Sequence, residues 1–377
     1  GTIKNFKAAT LTNNDSFKNY KTLLNYGTMT NNKTFTTFDS STFNNYNVFN
    51  NLTPGNFTTR SLFINKKTNA SNSDSVDLTG IEGVITNSGN MIITKSNFNN
   101  MGLVTNTGTI TNSDSITIAA EGRIVNKNTI TNDSLVLNNG TITNYSTKTI
   151  TNNKTITNNN VISNAGIINI THTTGVLNNN LTYTNKSSAT TTNYGKINLN
   201  TGGTITNSGT LNNTKTSNTI NATFDIIGTL LNNDSGTFVN SGNVVNKTNG
   251  TITNPGTITN SGSIVSNSSS TIGNTGTVNN TGTVSILASA TFTNSQNYNN
   301  LLSGSVYGSL DISGTITNQH TISNNGRINI KSTGLLNNNL TLTNDSLLIV
   351  LGTIKNFKAA TLTNNDSFKN YKTLLNY

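Results

Sequence analysis

The sequence has no cysteine and no tryptophan, and its 377 residues include only two prolines, two histidines and two glutamates. Without cysteine there is no disulfide and no thiolate metal site, though that absence does not fix the redox compartment. Charge is scarce too: Asp, Glu, Lys and Arg make up 10% of the chain, against about a quarter in ordinary soluble domains. No apolar run approaches the ~18 residues of a membrane-spanning segment. Apolar residues are 32% of the chain, too few to line the large aliphatic core of a conventional enzyme of this length. Disorder does not follow either, because disordered chains are rich in charge and Pro and poor in β-branched residues.

Three residue types fill the gap: 77 Asn, 71 Thr and 37 Ser, which together make 49% of the chain. Ile, Val, Leu and Thr recur among them on a short period, which points to ordered β structure around a thin core. Net charge is +10, but the lysines are scattered singly. No basic run marks a nucleic-acid or membrane footprint, so neither partner is expected. The sequence opens on Gly1, shows no leader-like segment, and reads as an excerpt of something longer.

Internal repetition decides the architecture. Residues 1–26, GTIKNFKAATLTNNDSFKNYKTLLNY, recur unchanged at 352–377, an offset of 351 residues. The spacing suggests a tandem unit of that length: an aromatic-rich segment over 1–65, an Asn/Thr-rich segment over 66–351, and the start of a next unit over 352–377. Within the unit a shorter module repeats, with TITN occurring nine times and variants such as TLTN, TFTN, VISN and LLNN between. The closing Asn of these modules falls mostly every six residues, for example at 126, 132, 138 and 144. Each module is one short strand plus a corner such as SG, TG, NG or DS, and no 3.6-residue period is present. Gly and Asn at those corners are expected to supply the positive φ that tight turns need.

Side chains alternate along a strand, so the Ile of TITN and its closing Asn share one face while both Thr share the other. One inward aliphatic per strand suffices for a narrow tube, and inward Asn stacked coil upon coil would form amide ladders. Asn112, Asn132, Asn144, Asn158, Asn207, Asn260 and Asn318 are the expected ladder residues. Three modules make a coil of roughly 20 residues, and the fold expected is an all-β, single-stranded parallel β-solenoid.

The pattern at Gly203–Asn213 (GTITNSGTLNN) and Gly250–Asn260 (GTITNPGTITN) resembles the passenger repeats of bacterial autotransporter adhesins and filamentous-haemagglutinin-type proteins. The resemblance covers most of residues 80–377. It implies a right-handed parallel β-helix that is exported and serves as a stalk or adhesin at the cell surface.

Chemistry finds little purchase. His172 and His320 stand 148 residues apart with no neighbouring acid. Most Asp residues occupy NDS or SDS corners, an Asx-turn signal, and the only close acidic pair, Asp74 and Asp77, falls far short of a calcium loop. No residue is nominated as catalytic or metal-ligating, no cofactor is called for, and an enzyme is not expected. Asn-x-Ser/Thr sequons such as Asn14, Asn132 and Asn246 would matter only in a host that glycosylates its surface proteins.

The aromatics Phe6, Phe17, Tyr20, Tyr26, Tyr46, Phe357, Phe368, Tyr371 and Tyr377 are candidates either for a wider core or for a contact surface. The leading functional reading is a structural segment of a long extracellular fibre, its partner another unit of itself. The alternative is an adhesin stalk or binding module contacting a surface glycan, favoured if the aromatics of 1–65 stand exposed in a row. Paired Thr such as Thr129/Thr131 and Thr251/Thr253 raise ice binding as a third, minor reading.

Overall fold

The computed structural model describes residues 1–60, 62–65, 67–68, 81–95, 97–171, 174–215 and 221–377. Among them every regular element is a β-strand, and almost every strand is four residues long. Contacts divide the chain into two compact units, Gly1–Tyr183 and Thr184–Tyr377. The sequence repeats put boundaries instead near 65 and 351. Each unit is a parallel β-solenoid whose coils lay one strand on each of three sheets.

In the first unit Thr2–Asn5 pairs in parallel with Thr22–Asn25, which pairs with Thr42–Asn45 and then Leu62–Asn65. Thr10–Asn13, Thr28–Asn31 and Val48–Asn51 begin the second sheet, and Ser16–Asn19, Thr34–Thr37 and Asn56–Thr59 the third. The second unit repeats the scheme, for example in Thr204–Asn207, Thr229–Asn232 and Thr251–Asn254. Register never slips by one residue, because a slip would turn every buried side chain to solvent. Only two antiparallel pairs interrupt the described chain, Lys67–Thr68 with Ile81–Glu82 and Leu302–Ser303 with Val306–Tyr307.

The second and fourth residues of nearly every strand are buried and the first and third are not, as in Thr109–Asn112. Period-2 alternation therefore survives in strands this short. Aliphatics at the second position fill most of the interior, such as Ile110, Ile116, Ile124 and Ile130 in the first unit and Ile252, Ile258 and Ile264 in the second. Packing is dry: the slit among Ile142, Ile150, Ile156 and their neighbours holds about 10 Å3, no more than one water needs. Phenyl rings take over in the first coils. Phe43 stacks on Phe63 at 4.7 Å, Phe63 on Phe98 at 4.8 Å, and Phe35 meets Phe57 at 4.9 Å. In the second unit Tyr298 lies wholly inside against Phe292, and burial pushes its phenol well above the ordinary value.

Most corners have two or four residues. Three two-residue corners give the 18-residue step of Thr10 to Thr28, and exchanging one for a four-residue corner gives the 20-residue step of Thr22 to Thr42. Most four-residue corners place their third residue in the left-handed region: Ala8, Ser40, Thr147, Ser188, Asn249, Ser269, Ser289 and Ala359 have φ between 60° and 68°, whereas Pro54, Glu121, Ser235 and Thr333 at the same position do not. This corrects the expectation from sequence. Among the described residues only two glycines, Gly202 and Gly304, have positive φ. Corner glycines serve close approach instead. A Cβ on Gly27 would collide with the carbonyl oxygens of Phe6 and Ala9, which belong to a four-residue corner on the coil before it. Gly140, Gly166, Gly209 and Gly314 meet carbonyls of four-residue corners in the same way. A two-residue corner stacked on a four-residue one thus takes glycine at these positions, whereas long corners stacked on long ones end in Ser270 and Ala290.

Two substitutions separate these roles. Gly108→Ala drives a Cβ into the carbonyl of Gly89 and is expected to cost about 1–3 kcal/mol in urea unfolding, the usual range for overpacking. Gly273 sits in a strand with nothing near its missing Cβ. Gly273→Thr is expected to be neutral or to stabilise by about 0.5–1 kcal/mol, since glycine weakens strand interiors.

Candidate functional site

The feature that sets this chain apart chemically is its buried asparagine. Inside the second unit, Asn185, Asn207, Asn232, Asn254, Asn274, Asn294, Asn318 and Asn338 follow one another at the end of successive strands of one sheet. Each is fully shielded from solvent. Each Nδ2 donates to the Oδ1 of the next, at 2.7 to 2.9 Å. The first unit carries the same rank from Asn13 through Asn31, Asn51, Asn87, Asn106, Asn126 and Asn144 to Asn164, at 2.6 to 2.9 Å. Asn112 donates to Asn132 at 2.7 Å, Asn158 to Asn179 at 2.7 Å and Asn260 to Asn280 at 2.7 Å, so the other two sheets carry ladders of their own.

A primary amide has two donor hydrogens and two acceptor lone pairs, and the coil stack meets all four needs. The Asn126 amide shows how. Its two hydrogens go to Asn144 Oδ1 at 2.8 Å and the carbonyl of Thr149 at 3.1 Å, and its oxygen accepts from Asn106 Nδ2 at 2.9 Å and from the backbone N–H of Asn128 at 3.3 Å. The same side chain therefore ties its own corner, the coil above and that coil's next strand. A second, outward ladder, which alternation does not point to, runs along corner positions. Asn159 donates to Asn139 at 2.8 Å and Asn180 to Asn159 at 2.6 Å.

The ladder has gaps where the closing residue is apolar, as at Ile226, Ile286, Ile312 and Ile330 in the second unit. Asn246 sits in such a gap. It follows Ile226 and precedes Ser266 on its sheet, and its buried Oδ1 has no partner among the described residues.

The candidate aromatics divide. Tyr26 and Tyr46 are buried and stack on each other at 4.7 Å, so neither is open to a partner. Phe17 is half-buried against Phe35 at 5.1 Å. Tyr20 is exposed and stacks on Phe38 at 4.4 Å. Phe6 is exposed, as are Phe357, Tyr371 and Tyr377, while Phe368 is half-buried. Rings exposed in a row across 1–65 are not found, because Phe35, Phe43, Phe49, Phe57 and Phe63 fill the tube.

The two identical segments fold alike. Thr2 faces Thr22 in register in one copy, and Thr353 faces Thr373 in the other. Ala8 and Ala359 have φ of 67° and 68°, and the coil-closing amides Asn5 to Asn25 and Asn356 to Asn376 span 2.7 and 2.8 Å. Their surroundings differ. Asn13, Asn19 and Asn25 are buried against the coil that follows, whereas their counterparts Asn364, Asn370 and Asn376 are exposed.

Titratable groups do not converge. Among the described residues no group of three His, Cys, Asp or Glu could hold a metal ion. His172, Asp74 and Asp77 lie outside the described residues. His320 occupies a corner, where its Nδ1 is 3.2 Å from the hydroxyl of Thr321. The most enclosed carboxylate is Asp225, held by Lys247 at 2.9 Å and Lys196 at 3.3 Å on the outer side of its sheet. Outward Thr pairs are in register over three coils at Thr109/Thr111, Thr129/Thr131 and Thr149/Thr151, and the rank then breaks at Ile167. No helix among the described residues is long and apolar enough to cross a membrane.

No protein-family model matches the chain, and no curated protein matches it. A search of solved structures finds the crystal structure of a TibC-catalysed, hyper-glycosylated TibA55-350 fragment. It is 14% identical, with 96% of this chain and 97% of that chain covered and a TM-score of 0.27. A score that low carries no argument about this chain.

Asn260 and Asn246 make a discriminating pair. Asn260→Leu strands the donor of Asn240 and the acceptor of Asn280, each worth ~1–3 kcal/mol when buried without a partner. A loss of about 2–4 kcal/mol in urea unfolding is expected. Asn246→Leu removes an amide whose oxygen already lacks a partner, between Ile226 and Ser266, and is expected to change stability by less than about 1 kcal/mol.

Proposed function

We propose that this chain is a structural repeat of an extracellular or cell-surface fibre, built by end-to-end continuation of β-solenoid units. The observation that supports it is the pair of identical 26-residue segments in one conformation. In this reading the work done is mechanical. In-register strand layers and amide ladders hold each coil to the next, and outward Thr, Asn and Ser keep the surface wet. Neither catalysis nor a cofactor enters it.

Electron microscopy of the native material tests the reading. Unbranched filaments are expected, with an axial repeat near 4.8 Å in their diffraction, the spacing of stacked strands. Isolated short particles attached singly to a surface would instead favour an adhesin.

A further inference from the structure

On the edge where the third sheet of the second unit turns into the first, two-residue corners stack at Ser241–Gly242, Ser261–Gly262 and Thr281–Gly282. The corner on the coil before them is lengthened to residues 214–222, and the corner on the coil after them to 301–308. The stack needs neither insertion, since two residues suffice at the three corners between. The insertions bound a trough about 19 Å long, four coil steps of ~4.8 Å. Its volume is about 410 Å3, within the ~300–1,000 Å3 of ordinary ligand sites.

The floor has no backbone to offer. The N–H groups of Gly242, Gly262 and Gly282 donate to the carbonyls of Asn213, Asn240 and Asn260, and their own carbonyls accept from Ser263, Thr283 and Ser309. A peptide strand therefore finds no edge to extend. Hydroxyl oxygens remain. Ser261 and Thr281 turn their hydroxyl hydrogens down onto the carbonyls of Asn240 and Asn260, at 3.4 and 3.3 Å, which leaves acceptor lone pairs for a ligand. At one end stands Lys215, its backbone N–H fixed on Ser241 Oγ at 2.9 Å. It is the only charged group among the described residues that line the trough. The other end is the hairpin of Leu302–Ser303 and Val306–Tyr307, which turns at Gly304 and leaves Val306 61% and Tyr307 56% exposed.

We propose that this trough binds a short acidic oligosaccharide. Sugar hydroxyls donate to the row of hydroxyl oxygens, the apolar face of one ring lies on Tyr307, and a carboxylate or sulfate meets Lys215. Saccharides combine dense hydroxyl donors with an apolar ring face, which is what the floor and the hairpin wall call for. The proposal does not depend on end-to-end continuation, because every residue of the trough lies within Thr184–Tyr377.

Calorimetric titration of the full chain with four tetrasaccharides tests it: oligogalacturonate and hyaluronan as acidic probes, cellotetraose and chitotetraose as neutral ones. At least one acidic probe is expected to bind, with both neutral ones about tenfold weaker or more. Lys215→Gln should bring the acidic probe down to the neutral level. Tyr307→Ala should weaken binding about fivefold or more, whereas Tyr307→Phe keeps the ring and the affinity. Tyr145 is also exposed beside a lysine, Lys127 at 5.2 Å, but lies in the first unit, and Tyr145→Ala should change nothing. Replacing residues 301–308 by Ser-Gly, the corner already present at 261–262, removes the wall in a form the stack accommodates. That variant should lose binding with its β circular dichroism intact. Failure of every probe, equal binding of acidic and neutral probes, or binding that survives loss of the hairpin would each overturn the proposal. None of these results bears on the filament test of the fibre reading.

Discussion

A primary amide buried in an apolar tube is unfavourable unless all of its hydrogen-bonding capacity is used. In this protein the condition is met by Asn on neighbouring coils together with backbone groups of the corner and the next strand. Much else follows from it. The coil must keep a fixed step, because the Nδ2 to Oδ1 contact of 2.6 to 2.9 Å tolerates little change in rise or register. Strands must keep four residues, so that the aliphatic and the Asn share the inner face. Corner insertions must leave the next strand in phase, whether they change the step by one residue, as from Val84 to Leu103, or are looped out, as at Leu302–Tyr307. A thin core can then hold a long fold, because each layer's polar groups are satisfied by its neighbours rather than by water.

The same constraint explains the composition. Thr and Ser are good residues for the outer face of a strand, β-branched or small and polar-headed, and Asn is what the inner corner requires. The apolar closures mark where the ladder is optional. At Ile118, Ile170 and Ile286 the corner is shut by a second buried aliphatic, which stays neutral so long as its ladder neighbours find other partners. Asn246, between Ile226 and Ser266, is the place where polar and apolar closures meet badly.

Much of this was legible in the sequence, and the limits are instructive. The inward Asn followed from counting parity within TITN, a purely local relation, and so did the four-residue strand and the coil length. The part played by glycine did not. Gly27 is needed because Phe6 and Ala9, on the preceding coil, turn their carbonyls into its space. Reading it requires knowing which corner lies beneath which. Positive φ went to Thr147, Ser188 and Ser289, none of them Gly or Asn, because it falls at the third position of most four-residue corners, and a corner's length is set by the stack. The aromatics show a different limit. Phe43 and Phe49 alternate like any inner residue and fill the tube, but Tyr26 and Tyr46 occupy corners, where alternation says nothing of exposure.

The side-chain amides themselves offer the most direct test. With 15N-labelled asparagine, hydrogen exchange followed by NMR reads Nδ2 protons separately from backbone N–H. Inner amides such as Asn207, Asn254 and Asn294 should exchange as slowly as the backbone of their own strands, while exposed corner ones such as Asn325 and Asn339 exchange like free asparagine. Uniformly fast exchange of all asparagine side chains would show that the ladders do not form and that something else holds the coils in step.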